Sequence, residues 1–105
     1  MTNKLTFSEV KEKYLKMLRQ YVPIVQRVHG GTHPEFHEVR TLFDAISGKI
    51  ESTGSRKPEL DVEFADLRAV TGNYTVPGDV CESYAAVYNM LAALDKAYHS
   101  YANTV

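Results

Sequence analysis

The sequence holds one cysteine, no tryptophan and no apolar run near the roughly 20 residues needed to cross a bilayer. A lone Cys81 cannot close an intramolecular disulfide, so the fold has to rest on a packed core. No charged-then-apolar leader opens the chain, and the expected location is the cytoplasm. An excess of either charge is also missing. Twelve Lys and Arg stand against thirteen Asp and Glu, leaving a net charge of −1, so no overall field draws in a nucleic-acid backbone or an anionic membrane. Period-two apolar alternation, internal repeats and low-complexity tracts are absent too, which removes the signals of sheets and solenoids. What is there is 105 residues, 44% hydrophobic and 24% charged, enough for a single domain over 1–105 with a modest core.

Periodicity predicts four amphipathic helices, at about 8–29, 33–52, 58–72 and 76–102. Thr6 and Glu9 have the spacing of a capping box at the start of the first helix. Val10, Tyr14, Met17, Leu18, Tyr21, Val25 and Val28 then recur at three- and four-residue steps as its apolar stripe, with Pro23 inside. Gly30 and Gly31 end that helix. Thr32-His33-Pro34-Glu35 offers a second capping box, followed by Phe36, Val39, Phe43, Ile46 and Ile50 on one face. After the polar Ser52-Thr53-Gly54-Ser55 linker, Pro58 suits a first turn and Leu60, Phe64, Leu67 and Val70 mark the third helix, closed by Gly72-Asn73. Thr75 as N-cap and Pro77 just inside would start the fourth, whose stripe is Val80, Tyr84, Val87, Leu91, Leu94, Tyr98 and Tyr101. Short loops between such helices predict an all-α, antiparallel up-down-up-down four-helix bundle.

The stretch from His29 to Ile46 carries three of the four histidines and so raises the question of a metal site. His33 and His37 stand four apart, but a 100° step puts them about 100° and about 140° from the core direction of their helix, facing solvent. Two exposed imidazoles lack the further ligands that hold a metal against water. His29, at a helix C-terminus, suits loop bracing, where a charged imidazole meets the dipole favourably. The alternative is a rebuilt site of His29, His33 and His37, with iron as its cofactor. His99, about 105° off its stripe, is expected at the partly exposed surface. Cys81 near a helix start could be reactive, yet Asp79 and Glu82 oppose a thiolate, and a small buried or half-buried residue is the simpler reading. Tyr84, Tyr88, Tyr98 and Tyr101 read as core or dimer-face packing, and no nucleophilic triad or phosphate loop is present.

Val28-His29-Gly30, His33-Pro34-Glu35-Phe36, Val39-Arg40 and Leu42-Phe43 resemble the hemerythrin-like domain of the iron-sulfur cluster repair di-iron proteins, the RIC family. A second block, Leu67-Arg68-Ala69-Val70-Thr71-Gly72-Asn73-Tyr74-Thr75-Val76-Pro77 with Cys81 and the helix after it, resembles that family's passage from third to fourth helix. The resemblance implies a hemerythrin-like bundle whose di-iron centre serves repair of iron-sulfur clusters after oxidative or nitrosative stress. Its iron ligands do not carry over. The corresponding positions fall near Ser8, Thr53, Arg56-Lys57, Tyr101 and Val105, which are not the His and Glu that such a site needs. By helical rise these positions share one end of the bundle. The expectation is therefore a non-enzymatic accessory or protein-interaction module without a cofactor, taking a protein partner or a second copy but neither nucleic acid nor membrane. Its candidate contact surface lies at the opposite end, on His29, His33, Tyr74 and Val76.

Overall fold

The structure, a computed structural model, describes residues 7–54 and 58–103, the side chains of 101–103 excepted. Four helices follow one another: α1 (Phe7–His29), α2 (Glu35–Thr53), α3 (Asp61–Thr71) and α4 (Glu82–Asn103). They form a four-helix bundle with no strand among the described residues. α1 packs on α4 and on α2, and α2 packs on α3. No helix among the described residues is long and apolar enough to cross a membrane.

All five expected core positions of α2 are buried, because a single apolar stripe leaves the helix one way to sit. On α1 the outcome differs. Phe7, Val10, Leu15, Leu18, Val22 and Val25 are buried, while Met17 and Val28, expected inside, are exposed. This helix carries two adjacent apolar stripes, and packing against its neighbours selects the one containing Leu15 and Val22. α1 runs through Pro23 without interruption. Thr6 lies outside the described residues. The α4 stripe from Tyr84 to Tyr98 is buried, and Tyr84, Tyr88 and Tyr98 are at most 1% exposed. These three rings are spent on the core and cannot form a dimer face.

Three helix starts lie later than the spacing predicts. α2 begins at Glu35, after a Pro34 that makes no side-chain cap. A capping box needs its Glu three residues beyond the cap, whereas Glu35 opens the helix. The Thr32 hydroxyl instead donates back to the His29 carbonyl at 3.3 Å. α3 begins at Asp61 rather than at Pro58, and the Leu60 backbone N–H before it donates to the Tyr98 hydroxyl at 2.9 Å. α4 begins at Glu82, with the Cys81 carbonyl accepting from Ala85 at 3.2 Å. Thr75, seven residues before Glu82, is too far away to cap it and closes α3 instead: its N–H donates to the Thr71 carbonyl at 3.1 Å and its hydroxyl to the Gly72 carbonyl at 2.6 Å. Gly72, Asn73 and Tyr74 are all left-handed there, with φ near 60°. The chain then runs as a strap from the end of α3 to the start of α4.

Candidate functional site

The α1–α2 turn is built on Gly30. A Cβ there would lie 2.5 Å from the Gln26 carbonyl oxygen and 2.8 Å from His37 Nε2, so the turn closes only over a bare Cα. That closure sets His29 and His33 on either side of the buried Tyr84 ring, each with centroids 5.5 Å from it. His29 Nε2 stands 3.1 Å from Cys81 Sγ, which joins the end of α1 to the start of α4. His33 places Nδ1 3.1 Å from Glu35 Oε2 and Nε2 3.0 Å from Asp79 Oδ1. The Tyr84 hydroxyl reaches the same Glu35 oxygen at 3.4 Å and the Tyr88 hydroxyl at 3.0 Å. One polar network thus spans the first turn, the start of α2, the strap and α4.

A neutral imidazole has one N–H and cannot donate to two carboxylates at once. With a carboxylate oxygen at each nitrogen, the site favours protonation of His33. Burial pushes its pKa down and is the largest single influence, but the hydrogen bonds and charges of Glu35 and Asp79 together outweigh it and raise the value. Burial also pushes the Tyr84 hydroxyl well up, with Tyr88 and Glu35 adding to the shift. These phenols stay protonated and act as donors and spacers.

The outward orientation expected for His33 is not what the structure shows. Its side chain is only 14% exposed, because α2 starts at Glu35 and the helical step that would turn His33 to solvent does not reach back to it. His37 is exposed, as its position on the helix requires. Its Nδ1 accepts from Gln26 Nε2 at 2.8 Å, and Gln26 Oε1 accepts from Arg40 at 2.7 Å. His33 and His37 therefore have different partners and share no face. Among the described residues no group of three or more His, Cys, Asp or Glu is placed to hold a metal, so His29, His33 and His37 do not converge. Cys81 is exposed, not half-buried, since it precedes α4 instead of lying on the helix.

Tyr74 and Val76 lie on the strap. Val76 is half-buried against the core, and the Tyr74 hydroxyl donates to Asp95 Oδ2 at 2.7 Å. Asp95 lies about 16 Å further along α4 than Tyr84 at 1.5 Å per residue, so the Tyr74 hydroxyl is held away from the His29 and His33 end. The buried Asp95 carboxylate also accepts from Arg68 Nη1 on both oxygens at 2.8 Å, and His99 Nδ1, which lies beside it at 2.8 Å, donates to the Asp95 backbone carbonyl at 2.9 Å. Half-exposed His99 gave no hint of this beyond its i,i+4 spacing from Asp95.

At the far end, Phe7 and Phe64 pack on Tyr98 at 5.7 and 5.4 Å, which brings the starts of α1 and α3 against the end of α4. Ser8 is exposed there, and the Thr53 hydroxyl is occupied with the Lys49 and Ile50 carbonyls. Glu63 pairs with Lys49 at 2.7 Å, and the lysine holds its carboxyl down against the opposing effect of burial. Arg56, Lys57, Val105 and the side chain of Tyr101 lie outside the described residues. A hydroxyl, a lysine-paired carboxylate and aromatic rings are not the donor set of a carboxylate-bridged di-iron centre. No family model matches the chain, and no solved structure matches it.

Proposed function

We propose that this protein is a cytoplasmic, non-enzymatic accessory bundle of the RIC-like group, one that engages a protein partner and has no di-iron centre. Its connection, by resemblance, is to the repair of iron-sulfur clusters under oxidative or nitrosative stress. The observation that carries the metal-free part is the chemistry at the resembling ligand positions. Where the family needs His and Glu, this chain has Ser8 and Thr53, with Phe7, Phe64 and Tyr98 packed together at that end.

The test is metal analysis of protein purified without a histidine tag. The expected result is iron, manganese and zinc well below one equivalent. Stoichiometric metal that disappears in His33→Ala and His37→Ala would overturn the reading. The link to repair is tested separately in cells lacking the protein, by recovery of an iron-sulfur dehydratase after nitric oxide exposure. Slower recovery is expected, and an unchanged rate would remove the repair role.

A further inference from the structure

The apolar stripe that packing left outside on α1 is continuous. Met17, Ile24 and Val28 are 40%, 44% and 64% exposed, with the half-buried Tyr14 before them and Tyr21 between. Positions 14, 17, 21, 24 and 28 alternate by three and four, the spacing by which one helix receives another along a seam. At 100° per residue this stripe is centred about 90° from the buried one. It faces away from α2, since Arg19 and Gln26 on the other flank are the residues that reach Ser47, Glu51 and Arg40. Tyr14 and Tyr21 lean partly on the core, whereas Met17, Ile24 and Val28 take no part in it.

The charges along one edge of the stripe have one sign. Lys13, Gln20 and Arg27 follow each other at seven-residue intervals along its outer edge, all exposed, with exposed Lys16 behind them. From Lys13 to Arg27 the sequence contains no acidic residue. Lys13 Nζ stands over the Tyr14 ring at 5.3 Å, so its stem lies along the seam while its charge borders it. A second copy laid antiparallel on this stripe would set Lys13 opposite Arg27 of the other copy, which like charges disfavour. An acidic rim complements it instead.

The geometry points to the Tyr14–Val28 face of α1 as the docking site for an amphipathic helix of a partner protein, with apolar residues on its seam and Glu or Asp beside them. This assignment rests on the interaction-module reading and supplies the partner's chemistry. Apolar contact with Met17, Ile24 and Val28 provides the adhesion, and Lys13, Lys16 and Arg27 select the sign of the partner's flanks.

The experiment uses the full chain with two synthetic helical peptides, both with leucine at the seam positions, one flanked by glutamates and the other by lysines. Anisotropy titrations should show the glutamate peptide binding and the lysine peptide at least about tenfold weaker. Amide resonances of residues 13–28 should shift. Ile24→Glu should abolish binding while leaving the melting temperature in place, and Lys13→Glu with Arg27→Glu should reverse the preference. Equal affinity for both peptides, no binding of either, or resonance shifts confined to other helices would overturn the assignment. So would a dimer that Ile24→Glu dissociates, which would give the face to a second copy. Binding of phosphatidylglycerol vesicles without binding of the glutamate peptide would give it to a membrane surface and equally overturn it. Metal content and cluster recovery are read on the unmodified protein, so their failure is separable from failure of this surface.

Discussion

The strap between α3 and α4 is fastened at two points, and the two differ in burial more than in chemistry. At one, Asp95 is 7% exposed and gathers Arg68 and Tyr74. At the other, Asp79 is 71% exposed and meets His33. Both are carboxylates accepting from cationic or polar donors at about the same distance. The buried one cannot be left unpaired without stranding its charge in a low dielectric, whereas the exposed one can fall back on water. Tyr74 shows the same difference from the strap's side. A left-handed tyrosine costs of order 1–2 kcal/mol, and its hydroxyl bond to Asp95 holds it there. Asp95 thus secures the strap thermodynamically, while Asp79 and His33 secure it conditionally.

The sharpest way to break this comparison is Asp95→Ala. Removing one partner of a buried ion pair is strongly destabilising, but Arg68 is about a third exposed and can turn to water, so the expected loss is about 2–3 kcal/mol by chemical denaturation. Asp79→Ala, measured alongside, should lose much less. Equal losses would mean that burial does not distinguish the two fastenings.

Gly30→Ala should come next, at about 1–3 kcal/mol, because the added carbon meets the backbone oxygen of Gln26 and that atom cannot swing away. If the loop end were held by charges rather than by the closed turn, this variant would be nearly neutral in a thermal melt.

The smallest effect is the pH dependence of the His33 fastening. Its folded pKa is raised above the ordinary 6.5, so the stabilisation is fully present below that value and is lost as pH rises through the folded pKa. The stability difference between the native chain and His33→Gln should therefore shrink from mildly acidic to alkaline pH. Carbon resonances of the His33 ring should titrate above the ordinary 6.5, and Asp79→Asn should bring that titration down. A gap in stability that widened with rising pH would show His33 neutral between its carboxylates.

How much of this could be read in advance depended on whether the signal was local. α2 has one apolar stripe, and Phe36, Val39, Phe43, Ile46 and Ile50 were all legible from spacing alone. α1 has two, and nothing in the spacing of Met17 against Leu15 ranks them. The threonines at 32 and 75 misled for a related reason: a hydroxyl before a helix and a hydroxyl closing the helix behind it look alike in sequence. His29 and His33 were legible as candidates, but their partners Cys81 and Asp79 were not, since those contacts cross from the first turn to the last. Arg68, Tyr74 and Asp95 come from three segments and left no motif.

The sequence by itself determined that four amphipathic helices would form and that they would pack as a bundle. Those properties follow from helical period and residue identity, which neighbours in the chain decide between them. Only the tertiary structure decided which stripe of α1 turns inward, which one stays exposed, and that His33 points into a pair of carboxylates. Each of these is a choice between locally equivalent arrangements, and only contacts between distant parts of the chain distinguish them.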